Sequence, residues 1–302
     1  MAAPKKKTTT SSAPATVRLS VPKTYKLFIG GKFPRSESGR SFEVRSPKGE
    51  FLANASLASR KDARDAVGAA RKAVAGWSGA TAYNRGQVLY RIAEVLDGRR
   101  EQFVAELVST GSTRRAAEAE VEAAIATWIF YAGFSDKYAQ VLGAANPVAA
   151  PYFNFSLPDA TGVVAIVSPD EPNWTLRALA ATIAPAIVSG NTVVVVAREN
   201  NPLSAISFAE VLATSDVPGG VVNILTGDAC EITPHLASHM DINAIDLAGC
   251  PDPEFAREME LLAAENLKRV VRPRRFSNRH VGSLDEIAQF IELKTVWHPI
   301  GV

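Results

Sequence analysis

Two cysteines, Cys230 and Cys250, and four histidines are the thiol and imidazole groups of this 302-residue chain. Cys250 stands where a helix is expected to begin, a position that lowers a thiol pKa, while Asp252 and Glu254 close behind it oppose that shift. Read without partners, it is first a small buried residue at a turn and only second a nucleophile. Cys230 opens another expected helix after Gly227 and is no better placed. Neither cysteine has a partner at CxxC spacing. His235 and His239 are four apart and could share a helix face, but no third ligand stands near them in sequence, so no metal is expected.

These residues must be held by something, and composition bounds what. Hydrophobic residues make up 47% of the chain and charged residues 21%, which suits a globular protein of one or two domains. A net charge of +2 gives no argument for nucleic acid as a partner. No apolar run reaches the roughly 18 residues of a membrane span, so no membrane partner is expected. Lys5, Lys6 and Lys7 are not followed by the apolar stretch of a secretory signal, and a reducing, cytoplasmic setting is the default expectation. Residues 1–24, rich in Lys, Thr, Ser, Ala and Pro, read as a disordered basic tail that buries too little apolar area to offset its ordering entropy.

Beyond the tail, 26–33 and 41–44 read as strands joined by turn chemistry at Glu37-Ser38-Gly39, that is, a hairpin. Ser59 with Asp62 three residues on predicts a capping box and a helix to about Trp77, with Ala63, Val67, Ala70 and Val74 on one face. A long helix is predicted over about 84–108 and a third over about 114–142, the latter carrying Trp128, Tyr131 and Phe134 into the core. From Gly162 the rhythm changes. β-Branched runs at 163–167, 192–196, 221–225, 244–247 and 269–271 alternate with helices near 174–188, 203–214, 230–238 and 253–265. That pattern predicts βαβ units: an α/β fold with a Rossmann-like, doubly wound, mostly parallel sheet, preceded by N-terminal helices. A short helix after Ser283 and an extended run at 290–297 complete the chain.

The blocks GVVAIVSP, SGNTVVVVARENNP, PGGVVNILTG and ENLKRV, with KLFIGGKF before them, resemble the aldehyde dehydrogenase superfamily in order and spacing over most of residues 25–272. FIELKTVW resembles that family's C-terminal assembly strand. The resemblance implies a dinucleotide-binding domain for NAD or NADP, a catalytic domain with a thiol nucleophile, and β arms that pair subunits. It divides the chain into a 1–24 tail, a 25–272 dinucleotide-type domain with an oligomerisation hairpin, and a 273–302 remnant with the assembly strand.

Residue by residue, the resemblance also locates departures. The oxyanion-stabilising asparagine of the family falls at Glu171, after Pro169; an ionised carboxylate there accepts hydrogen bonds and repels an oxyanion, and only its protonated form would donate. The ribose-binding lysine falls at Val196, while Glu199 keeps the family's glutamate position. The Gly-Ser-Thr turn into a helix reads Gly249-Cys250-Pro251, with two prolines that remove backbone donors and Glu254 at the second glycine. The catalytic glutamate falls at Pro273. No cysteine follows Cys250, as though the catalytic segment were missing between two retained ends.

Glu199, Gly249 and Pro169 are therefore the candidate cofactor contacts, and Cys250 and Glu171 the candidate catalytic groups. The expectation is an assembly or regulatory subunit paired with its own copy or with a full-length aldehyde dehydrogenase paralogue. Two rivals stand beside it: an NAD(P)-dependent oxidoreductase with a relocated or partner-supplied nucleophile, and an NAD(P)-binding sensor.

Overall fold

The computed structural model describes residues 23–169, 174–199, 202–250, 252–274 and 281–301. Most of the basic tail therefore lies outside the described residues. At its end, β1 (Thr24–Tyr25) pairs in parallel with β3 (Phe51–Ser56), which also pairs antiparallel with β2 (Ser41–Arg45). This corrects the expected hairpin: residues 41–45 pair with the strand after them, not with 26–33. The latter segment turns on itself through Ile29 and Lys32 and lays Phe28 against Ile224, each donating its N–H to the other's carbonyl at 2.9 and 2.8 Å. A strand edge left open would recruit other chains, and Phe28 covers part of one.

Helix α1 (Arg60–Ser78) starts with the predicted capping box, Ser59 and Asp62 each satisfying the other's backbone N–H. The expected 84–108 helix is two, α2 (Ala82–Gly98) and α3 (Arg100–Ser109). The break follows Gly98, a poor helix interior residue. There Arg99 turns its side chain onto Gln102 and, at 2.6 Å, onto Glu210 of a distant helix. The expected 114–142 helix also divides, into α4 (Arg114–Phe134) and α5 (Tyr138–Leu142). Where α2 crosses α4, Gly86 lets the backbones meet: a Cβ there would come within 2.3 Å of Ser135 Oγ. Trp128 and Tyr131 are fully buried, Trp128 stacking on Phe208 at 5.6 Å.

After β4 (Ala144–Asn146) and β5 (Tyr152–Ala160) comes the predicted alternation: β6 (Val163–Val167), α6 (Thr175–Val188), β7 (Thr192–Ala197), α7 (Pro202–Ala213), β8 (Val222–Thr226), α8 (Ala229–Ala237), β9 (Ala244–Asp246), α9 (Pro253–Ala264) and β10 (Arg269–Val271). The five strands are parallel in the order β10-β9-β6-β7-β8. Val164, Ile166, Val193 and Val195 pack with α2–α4, α6 and α7, whereas Val163, Ala165, Val167, Val194 and Val196 pack with α1, α8 and α9. Both faces are covered, which is why the strands read as unbroken apolar runs. Last come the predicted short helix α10 (Leu284–Ala288), capped by Ser283, and β11 (Ile291–Pro299). β11 pairs antiparallel with β5 over nine residues in a separate sheet, β11-β5-β4. Among the described residues no helix is long and apolar enough to cross a membrane.

Candidate functional site

The strand order reverses between β6 and β9. Helix α6 leaves β6 toward one face and α9 leaves β9 toward the other, and the crevice outside such adjoining strand ends is where α/β sheets take ligands. Among the described residues, the turn after β9 lies directly against the end of β6 there. Gly249 N donates to Val167 O at 2.9 Å, and a Cβ at position 249 would lie 2.2 Å from Ser168 O. Only glycine tolerates so close an approach. From the end of β7, Arg198 Nη1 donates to Gly249 O at 3.2 Å, tying three strand ends together. Between Ser168, Pro169, Thr175 and Arg198 a cavity of about 10 Å³ remains, which is room for about one water.

The start of α9 is equally engaged. Asp252 Oδ1 accepts from Glu254 N at 3.0 Å, Pro253 stands at the first helical position without an N–H, and Glu254 adds a second acid to the first turn. These carboxylates use the positive helix end that would hold a pyrophosphate. The residues present do not fit a dinucleotide phosphate in that pose.

The cysteines are placed for packing. Cys250 is buried among Ile232, Leu247 and Ala256, and its N–H donates to Leu247 O at 2.9 Å. Burial pushes its thiol up to about 12; Arg198 opposes this, and Cys230 and Asp246 add to it. Desolvation thus overrides the lowering expected at a helix start. Cys230 is exposed, the second residue of α8, and its pKa is also raised, by partial burial first and then by Asp228.

The other predicted positions scatter. Pro169 is buried in the small cavity's wall and Val196 is fully buried mid-sheet. Glu199 and Pro273 are exposed. Glu171 and Pro251 lie outside the described residues. The structure brings Pro169 and Gly249 together at the strand ends, with Cys250 adjoining, and leaves Glu199 at the surface. His235 lies in the last turn of α8 and His239 follows its cap, so they share a groove rather than a helix face. Among the described residues no group of three or more His, Cys, Asp or Glu could hold a metal ion.

Sequence reasoning missed the charges that close the site. Asp246 ends β9 with no exposure, and Arg274 reaches it bidentately, Nη1–Oδ1 at 2.7 Å and Nη2–Oδ2 at 3.0 Å. Asp246 Oδ1 also accepts from Ala248 N at 2.9 Å, tightening the turn that carries Gly249. The signal available was an acid inside the apolar run 244–247. Beside this pair, Tyr131 OH donates to Glu286, which anchors α10. A second carboxylate, Glu120 on α4, takes Leu176 N at 2.7 Å and so occupies the start of α6. Burial pushes its pKa up against the lowering effect of the N–H groups of Leu176, Arg177 and Thr175.

A family model described as Aldehyde dehydrogenase family matches residues 33–272. Mouse (Mus musculus) cytosolic 10-formyltetrahydrofolate dehydrogenase is 32% identical over 266 residues, covering 85% of this chain and 29% of that protein. Chicken (Gallus gallus) retinal dehydrogenase 2 is 34% identical over 262 residues, covering 84% of this chain and 49% of that protein. Among solved structures, an NAD+ complex of aldehyde dehydrogenase from Bacillus cereus superposes with a TM-score of 0.76 at 26% identity, covering 82% of this chain and 50% of that one. HpcC from Thermus thermophilus gives 0.77 at 30% identity, covering 82% of this chain and 47% of that one. The chain thus spans half or less of the length of these relatives.

Proposed function

The chain belongs to the aldehyde dehydrogenase family, and from that premise we propose that it serves as an assembly or regulatory subunit and does not oxidise aldehydes by itself. The observation that carries the reading is the β5–β11 ribbon. Among the described residues β11 has a neighbour on one side, and Leu293 and Trp297 on it are 59% and 58% exposed, with Phe153 at 50% and Leu157 at 49% on β5 exposed on the ribbon's other face. A long edge strand with exposed apolar side chains is a template for pairing with another chain. The occupant fitted to it is a second aldehyde dehydrogenase-type chain, either this one's own copy or a full-length paralogue.

The chemistry of the strand ends supports the same reading. A nucleophile in this family resemblance must be a thiolate, yet burial pushes the Cys250 thiol up to about 12 and so disfavours its thiolate near neutral pH. The helix start that would receive a pyrophosphate is occupied by Asp252 and Glu254. The ribbon carries several exposed apolar side chains, among them Tyr152, Phe153, Leu157, Leu293, Val296 and Trp297.

The test is native size analysis by light scattering, alone and after co-expression with a full-length relative, for the wild type and for Leu293→Arg/Trp297→Arg. Assembly lost in the variant, with the melting temperature kept, supports the reading. A wild type that stays monomeric and leaves the relative's size and rate unchanged refutes the assembly role. NADH formation from any aldehyde by the purified chain refutes inactivity.

A further inference from the structure

The first turn of α1 and the end of α8 wall a groove of about 580 Å³ that shares no residue with the strand ends. Arg60, Lys61 and Arg64 line it from α1, and His235 and His239 from α8 and the turn after it. The local sequence explains the arrangement. Asp62, Ala63, Ala66 and Val67 take the inward face of α1, which leaves the cations between them outward, with Arg60 and Arg64 one turn apart.

Among the described residues no carboxylate lines the groove. The acids near it are engaged at its margins. Asp62 is buried in the capping box and accepts from Ser36 Oγ at 2.7 Å. Glu37 pairs with Lys61 at 3.1 Å and Asp65 with Arg64 at 2.8 Å, both exposed pairs of the weak kind that a competing anion displaces. Glu231 is taken by Arg40 at 2.8 Å, and Asp241 lies 3.8 Å from Arg71. Among the described residues Arg60 has no ion-pair partner.

His239 adds a fixed donor. Its Nδ1 accepts the N–H of Asp241 at 3.1 Å, so the neutral ring carries its proton on Nε2. Burial lowers its pKa, Asp241 opposes, and Lys268 and Arg71 add to the lowering. The Nε2–H therefore donates without needing a charged ring. Guanidinium forks, an ammonium and imidazole N–H groups on two walls match a ligand that is all acceptor and carries more than one negative charge, which is the chemistry of phosphoryl groups.

We infer that this groove binds a small phosphorylated anion of two or more charges. Calorimetry of the full chain with inorganic pyrophosphate, and separately with inorganic phosphate, tests it. Pyrophosphate is expected to bind at least about 10-fold tighter than phosphate, and Arg60→Ala/Arg64→Ala to weaken it by at least about 10-fold with the melting temperature unchanged. A control of equal charge loss elsewhere, Lys32→Ala/Arg115→Ala, is expected to change the affinity less than about 2-fold. No binding at about 5 mM pyrophosphate, well above the affinity of a built anion site, or equal losses in both double variants, would overturn the inference.

Discussion

Replacing Arg274 by methionine keeps most of the side-chain volume and removes the guanidinium that faces Asp246. The aspartate has no exposed surface, and Arg274 is its charged partner, through two bonds of 2.7 and 3.0 Å. What remains is the N–H of Ala248 at 2.9 Å. A buried charge stripped of its partner costs about 3–5 kcal/mol. At about 2–4 °C per kcal/mol for a chain somewhat shorter than this one, the melting temperature should fall by roughly 6–20 °C. The double variant Asp246→Asn/Arg274→Met removes both charges and should recover about 0.5–3 kcal/mol of the loss, the range by which close pairs couple. Urea unfolding followed by tryptophan fluorescence reads all three species. A single-variant loss below about 1 kcal/mol, or additive effects in the cycle, would show that the pair is not what holds the β9 and β10 ends together.

Other outcomes follow from the same geometry. At pH 7 a thiol of pKa about 12 is ionised to only about one part in 10⁵, so iodoacetamide should label Cys230 and leave Cys250 unmodified until urea unfolds the chain, as read by peptide mass; early labelling of Cys250 would contradict its burial. Glu120 has a raised folded pKa, so its contribution to stability falls as pH rises from the ordinary glutamate range through that value. The stability of Glu120→Gln relative to wild type should therefore increase between pH 4.5 and 7 in paired melts; a flat difference would refute the shift. Gly86→Ala places a Cβ 2.3 Å from Ser135 Oγ and 3.2 Å from Ala132 O, an overpacking worth about 1–3 kcal/mol. Adding Ser135→Gly should restore part of that in chemical denaturation, and no restoration would place the strain elsewhere.

The parallel sheet was legible because each of its strands is buried on both faces, and such burial writes itself into the sequence as a β-branched run. The capping box at Ser59 was legible because both partners lie within four residues. What sequence could not show depends on distance along the chain. Phe28 meets Ile224, and Arg274 meets Asp246, through tertiary folding alone. Helix periodicity continued through Gly98–Arg99 because the apolar stripe does, Leu96 and Phe103 both being buried; the break is in the backbone, not in the pattern. At the strand ends, the substitutions at Val196 and Pro273 were visible, but not that Gly249 would back onto Ser168.

The pairing of β5 with β11 has a consequence in time. Ser156 and Thr295, hydrogen-bonded partners across that ribbon, are 139 residues apart. At about 5–20 residues per second of synthesis, β5 leaves the ribosome roughly 7–30 s before its partner exists. Throughout that interval the strand bearing Tyr152, Phe153 and Phe155 stands with one edge open. A neighbouring chain already complete would present the same nine-residue strand, so any exchange of strands would compete with the chain's own pairing during that interval.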